Sequence, residues 1–382
     1  MNAREFQVLL SCVRSHPDAE LIKGLISEGI DWQTVLTRAV RHCVRPTLLR
    51  TLKSVCWDAV PEAIQLELVR FNRANAQKNL IFTRELLRLL DVFKQNAIPI
   101  AAFKGPVLAD SLYGDLSLRE FSDLDVIVHE ADLCKAENIL TASGYQADFP
   151  DREYRSVFLS YQGQYAFRHP KTAISVDLHW RLSSKGVAFP LHSAEIWLRL
   201  DQVTIAGRTV PTLPHDDLAL FLAAHGTKEG WRDLIWVCDF AELLRNCCDI
   251  DWAAVIERAQ RTYSLLPLLL ATFLAATLLD APAPAELIDR ARKNSAVRAL
   301  AQKAQLRMLR SGPEGELREF LNSLNTHDHL RQRFWPVVTL LTTRTVGDYE
   351  AMPLPKRLWG IYYLTRPFRL AGKVAEMIFG RN

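Results

Sequence analysis

Near Asn96 the spacing of apolar residues changes, and that change limits what this chain can fold into. Up to that point "LIFTRELLRLLDVFKQNAIPI" has helical spacing, with Leu80, Leu87, Leu90 and Phe93 recurring every three to four residues. Pro99 sets the stop near Asn96. Short apolar runs bounded by glycine then take over. "IPIAAF" reads as a buried strand, "GPVLADSLYG" as a helix closed by Gly114, "SDLDVIVH" as a strand and "EADLCKAENILTASGY" as a helix ended by Gly144. "SVFLSYQGQYAFRH" and "AISVDLHWRL" alternate polar and apolar residues and form a hairpin across "PKT". "DQVTIAG" and "RTVPTL" form a smaller one around Gly207. After Pro214 the pattern is helical again. The expected organisation is a helical region over residues 1–96, an α/β core over 97–212 and a helical domain over 213–382.

Inside the core, Asp123 and Asp125 lie one residue apart at the entrance to Val126-Ile127-Val128. On a strand, residues two apart share a face with Cα atoms about 6–7 Å apart, so both carboxylates aim at one spot while Leu124 packs behind. Such a pair forms either a solvated turn or a cation site. Asp177, in "ISVDLHW", is a candidate third acid, with His179 on its face and Trp180 on the opposite, core side. Three such groups suit two Mg²⁺ ions about 3.5–4 Å apart, the clamp used in phosphoryl transfer. Eighteen residues before Asp123, Lys104-Gly105-Pro106 joins a strand to a helix. A glycine at such a turn lets backbone N–H groups approach a phosphate, Pro106 suits a first helical position, and Lys104 adds a positive charge.

In combination, "FKGPVLADSLYGDLSLREFSDLDVIV", "VDLHWRL" and "LALFLAAHGTKEGWRDLIWVCDFAELL" resemble a bacterial, largely uncharacterised branch of the polymerase-beta-type nucleotidyltransferases, over roughly residues 35–250. The resemblance implies an α+β fold, in which a small mixed sheet carries an N-terminal helical segment and a C-terminal helical domain, with the acceptor between them. It implies that Asp123 and Asp125 hold Mg²⁺, that Asp177 is the third acid and activates an incoming hydroxyl, and that Gly105 lies beside the triphosphate of an NTP. The wider superfamily usually has Gly-Ser at that turn; here the serine is missing, so the expected nucleotide grip either comes from Lys104 or Arg119 instead or is weaker.

Arg119 is expected either to bind a phosphate oxygen or to neutralise the acids. His179 is expected to contact the nucleotide or acceptor, or, ahead of these, to hydrogen-bond Asp177 and hold it. His225 and Lys228 share a helix face near Trp231 and Asp239, where they either line the acceptor side or belong to the core. His327 and His329 are expected to cap a helix.

Charge narrows the function. The net +4 is concentrated in a tail, Pro353 to Asn382, where six Lys and Arg face Glu376 alone; the remainder is near neutral, without the basic stripe of a nucleic-acid binder. A small-molecule or protein acceptor is therefore expected over nucleic acid. The basic, aromatic tail either contacts a membrane surface or packs over the helical domain, with Pro367 and Gly372 expected to break its helix. Seven cysteines without metal-ligand spacing and the early charges of the N-terminus lead to the expectation of a reduced, cytoplasmic protein. The leading function is Mg²⁺-dependent transfer of an NMP group from an NTP to a hydroxyl, with pyrophosphate released. The rivals are a non-catalytic nucleotide-binding or interaction protein on the same fold, and a toxin-like transferase acting on tRNA or protein.

Overall fold

The computed structural model describes residues 3–147, 155, 156, 158, 159, 162–183, 191, 193–310 and 346–379. His327 and His329 lie outside them. Five helices open the chain: α1 (Ala3–Cys12), α2 (Ala19–Ser27), α3 (Trp32–Arg41), α4 (Arg45–Val55) and the 34-residue α5 (Glu62–Gln95). The side chains of Asp18 and Asp31 accept backbone N–H bonds at the starts of α2 and α3, pairing donors that a helix start leaves free. α5 stops where the sequence predicts: Asn96 caps it and Ala97 turns left-handed at φ 55° before Pro99.

The core follows as β1 (Ile100–Ala102), α6 (Pro106–Ser111), β2 (Asp123–Val128), α7 (Leu133–Ala142), β3 (Gln146–Ala147), β4 (Gln164–Arg168) and β5 (Ser175–His179). They form one mixed sheet in the order β1-β2-β5-β4-β3. β2 and β5 are parallel and the other pairs antiparallel. After α8 (Ser193–Trp197), β6 (Asp201–Ile205) and β7 (Arg208–Thr212) make the small hairpin, with Ala206 and Gly207 both at positive φ in its two-residue turn. α9 (His215–Lys228), α10 (Leu234–Asn246), α11 (Trp252–Arg261), α12 (Leu265–Leu279), α13 (Ala285–Lys293) and α14 (Ser295–Leu309) build the C-terminal helical part, and α15 (Val346–Ala351) and α16 (Tyr362–Phe379) the tail.

Two expectations change. The run from Ser156 to His169 is not one strand: Arg155, Ser156, Phe158 and Leu159 are helical and β4 starts at Gln164. Gly163 sets that start, because its carbonyl accepts from the N–H groups of Trp180 and Arg181, and a Cβ there would lie 2.4 Å from the Ser183 carbonyl. In the tail, Pro367 and Gly372 lie inside a single helix, α16. Proline keeps a helical φ and removes one backbone bond, while Arg366 and Arg369, on either side of it, are both tied to Asp348.

The period-2 alternation of the strands sends the two sheet faces to different partners. Leu124, Val126, Val128, Val176, Leu178 and Phe167 bury one face against α5 and α7, through Phe82, Leu86, Leu89, Phe93, Ile139 and Leu140. On the other face Ala101, Phe103 and Ile127 join a larger core that contains α4, Phe221 and the helices up to Met308. Residues on that second face just beyond this core form the walls of a cleft.

The loop entering β2, residues 115–122, is held by α5. Asn79, fully buried, donates its amide to the carbonyls of Leu116 at 2.6 Å and Arg119 at 2.9 Å, and Asn75 donates to Ser117 at 3.1 Å. Asn79→Ala leaves the Leu116 carbonyl without its donor and the Arg119 carbonyl with only the longer 3.4 Å bond from Asn75. It is expected to lower unfolding free energy by about 2–3 kcal/mol in urea denaturation, with little cavity contribution.

Candidate functional site

Strand register brings the acids together. Across the parallel pair β2/β5, Asp125 lies directly opposite Asp177, with Asp123 two residues before and His179 two residues after on the same face. Leu124 and Trp180 point the other way into the core, as the alternation predicts. Asp125 is almost fully buried, and its Oδ1 accepts from Lys104 Nζ at 2.9 Å and faces His179 Nε2 at 3.2 Å. Asp177 Oδ2 accepts instead from the Gln164 amide at 2.9 Å. His179 thus orients Asp125 and not Asp177, correcting the expectation. Gln164 is its cross-strand partner on β4, from where it reaches Asp177.

The turn after β1 delivers Lys104. Gly105 follows at φ 53°, and a Cβ on it would lie 3.1 Å from the Asp123 carbonyl oxygen, so both backbone conformation and close approach favour glycine. Phe103 packs edge-on against His179 (centroids 4.9 Å apart) and against Phe221 of α9 (5.1 Å). It fixes the imidazole and joins the sheet to the helical wall.

Arg119 makes a two-pronged pair with Asp239 of α10, with Nε and Nη2 each 2.8 Å from a carboxylate oxygen, and Tyr113 donates to the same carboxylate at 2.8 Å. Its planar fork is engaged with a third carboxylate, distinct from Asp123 and Asp125. Next to it, Glu120 pairs with Arg45 of α4, and the Phe121 carbonyl accepts from Lys78 of α5. Together these contacts tie the loop before β2 to three helices.

The result is a cleft of about 530 Å³ between sheet and helices, within the usual range for small-molecule sites. Asp123, Asp125, Asp177, Lys104, Gly105, Arg119 and His179 all line it, as do His225, Lys228 and Asp239 from the helical part. Trp231 is not on that wall; it is buried beneath it against Gly226. Lys78, Arg45 and Gln164 also line the cleft. None was singled out in the sequence: Lys78 lies on a helix whose signal was apolar, and Gln164 reads as an ordinary outward strand residue.

The electrostatics show too little positive charge for these carboxylates. Burial opposes the charged form of Asp125, but Lys104 and His179 outweigh it and hold the carboxyl well below the usual range. For Asp177 the balance reverses: burial, then Asp125 and Asp123, outweigh Lys104 and Gln164 and push it up to about 7. Asp123 is raised as well, by burial and then Asp125. Burial holds the His179 imidazole toward its neutral form. Asp125, Asp177 and His179 each offer a ligand atom, all within 4.8 Å of one another. The Lys104 ammonium against Asp125 marks where positive charge is accommodated, and carboxylate oxygens are the donors that hard divalent cations prefer. The residues fit a divalent cation on these grounds.

Residues 28–280 match the family described as uncharacterised nucleotidyltransferase. The chain belongs to that nucleotidyltransferase family. The matched span contains every residue that lines the cleft, from Cys43 to Asp239, and runs from the N-terminal helices through the sheet to the end of α12. No curated protein and no solved structure matches the chain.

Because the Asp177 carboxyl titrates near 7 in the folded chain and near 4 when unfolded, the folded state holds the extra proton between about pH 4 and 7. The stability this group contributes is complete below that window and is lost as pH rises through it. With divalent cations chelated, Asp177→Asn is expected to match the parent's thermal stability near pH 4 and to exceed it by about 1–3 kcal/mol at pH 8, after discounting for partial exposure. Melting curves at the two pH values check this. Asp239→Asn leaves the buried Arg119 unpaired and is expected to cost about 3–5 kcal/mol, read by urea denaturation at pH 7.

Proposed function

We propose that this chain is a polymerase-beta-type nucleotidyltransferase that moves an NMP group from an NTP to a hydroxyl-type acceptor and releases pyrophosphate. The observation that carries the reading is the register that opposes Asp125 to Asp177, with Asp123 beside them, in a cleft of a chain that belongs to a nucleotidyltransferase family.

Asp123, Asp125 and Asp177 would hold Mg²⁺, which when bound would neutralise the triphosphate and stabilise the leaving pyrophosphate. The remaining work falls to the chain's own groups. Asp177 takes the proton of the acceptor hydroxyl as its oxygen bonds to the α-phosphorus and the α–β phosphoanhydride bond breaks. Without a cation that carboxyl is pushed up to about 7 by burial and its acidic neighbours, and a bound cation would favour its charged, proton-accepting form. Gln164 holds Oδ2 of Asp177 and so orients the base. His179 and Lys104 hold Asp125 in its charged form.

With proline in place of the usual serine after Gly105, the phosphate grip moves to cleft cations. Lys78 is the best placed: among the described residues it has no carboxylate within ion-pair distance, and its ammonium is held at the loop entering β2 by the Phe121 carbonyl. Arg119, engaged with Asp239, positions that loop. Carboxylates line the cleft in numbers comparable to its cations, which favours a small-molecule or protein acceptor over the phosphate backbone of a nucleic acid.

Pyrophosphate release from a panel of NTPs and candidate acceptors with Mg²⁺ tests the proposal. Asp125→Asn is expected to lower turnover by about 10³-fold or more, and Lys78→Met to raise the KM for NTP about tenfold with a smaller change in kcat. Metal-dependent NTP binding without pyrophosphate release from any acceptor would favour the non-catalytic binder.

A further inference from the structure

We propose that the outward face of α16 docks the protein on an anionic lipid surface. The C-terminal segment is a small folded unit with its own anchors. Asp348 is buried and pairs with both Arg366 and Arg369; the Tyr362 hydroxyl donates to the Met352 carbonyl at 2.8 Å and accepts from the Leu354 N–H at 3.0 Å. The Trp359 indole donates to the Leu354 carbonyl at 3.0 Å, and Tyr349, Trp359 and Tyr362 form a cluster of their own. These contacts fix one side of the helix, through Tyr362, Arg366 and Arg369.

The opposite side is apolar and exposed. Leu364 is 72% exposed and Phe368, one turn on, 79%. Pro367, Ala371 and Gly372 are exposed around them, and no charged residue falls within this group. Single exposed apolar residues are ordinary, but a contiguous helix face with a leucine and a phenylalanine outward marks a contact surface. Leu358, also exposed, lies in the preceding 3-10 turn beside Lys356 and Arg357.

Charge identifies the occupant. From Pro353 to Asn382 the sequence carries Lys356, Arg357, Arg366, Arg369, Lys373 and Arg381 against Glu376. Asp348 engages two of these, and exposed Lys356 and Arg357 lie in the turn that leads into α16, with no carboxylate at ion-pair distance among the described residues. Basic residues beside an outward aromatic and aliphatic face complement anionic headgroups over an acyl boundary. No helix among the described residues is long and apolar enough to cross a membrane, so the contact lies along the surface. It is independent of the cleft and of the reaction assigned to it.

The test is co-pelleting of the full chain with vesicles of phosphatidylglycerol and phosphatidylcholine in equal parts, compared with phosphatidylcholine alone. The chain is expected to pellet with the anionic vesicles only and to be released by about 0.5 M salt. The double variant Leu364→Asp/Phe368→Asp is expected to bind at least about tenfold more weakly, and Lys356→Glu/Arg357→Glu to lose binding in the same direction. All four side chains are exposed, so unchanged melting curves should confirm that both variants fold. Absence of pelleting with anionic vesicles, equal pelleting with neutral ones, or binding unaffected by both variants would overturn the proposal. So would light scattering that shows a dimer in the parent and a monomer in Leu364→Asp/Phe368→Asp, because the face would then be covered by a second copy.

Discussion

Three carboxylates share one face of a half-buried sheet and line one cleft, and much of the core is arranged around their repulsion. Asp125 and Asp177 are held side by side by the parallel pairing of β2 and β5, a geometry the backbone hydrogen bonds impose whatever the side chains prefer. The surrounding groups then set how each acid behaves. Lys104 and His179 keep Asp125 charged, while Asp177, hydrogen-bonded by the neutral Gln164 and drawn on by Lys104 without a direct bond, is pushed up to about 7. Two adjacent carboxyls with separated proton affinities can divide the work of holding charge and moving a proton.

The second structural theme is the loop that feeds β2. Arg119, Glu120 and Phe121 are adjacent in sequence, yet they reach Asp239 on α10, Arg45 on α4 and, through a backbone carbonyl, Lys78 on α5. Asn75 and Asn79 hold the carbonyls of Leu116, Ser117 and Arg119 from α5. The acidic strand is therefore registered against both helical parts at once, and the cleft has walls from each. Family membership over residues 28–280 covers this whole assembly, beyond the sheet alone.

Much of this could be read from local pattern. Alternation in "SDLDVIV" and "ISVDLHW" fixes which residues face the cleft and which face the core, because successive side chains on a strand point to opposite sides. The end of α5, the glycine requirement at Gly105 and the hairpin at Gly207 follow from backbone constraints that act within a few residues. Two local readings failed. The strand assigned from Ser156 starts at Gln164, where close approach to Arg181 and Ser183 decides it, and Pro367 is carried inside α16 by the ion pairs on both sides.

By itself, then, the sequence determined the α+β class, the face on which Asp123, Asp125 and Asp177 lie, and the positions where only glycine suits the backbone, since all of these depend on short-range periodicity and φ. The tertiary structure alone decided partnership: His179 to Asp125, Gln164 to Asp177, Arg119 to Asp239 and Lys78 to the loop entering β2. Those pairs are 13 to 120 residues apart in the chain. Their choice depends on strand order and on how helices pack across the sheet, information that no local spacing carries.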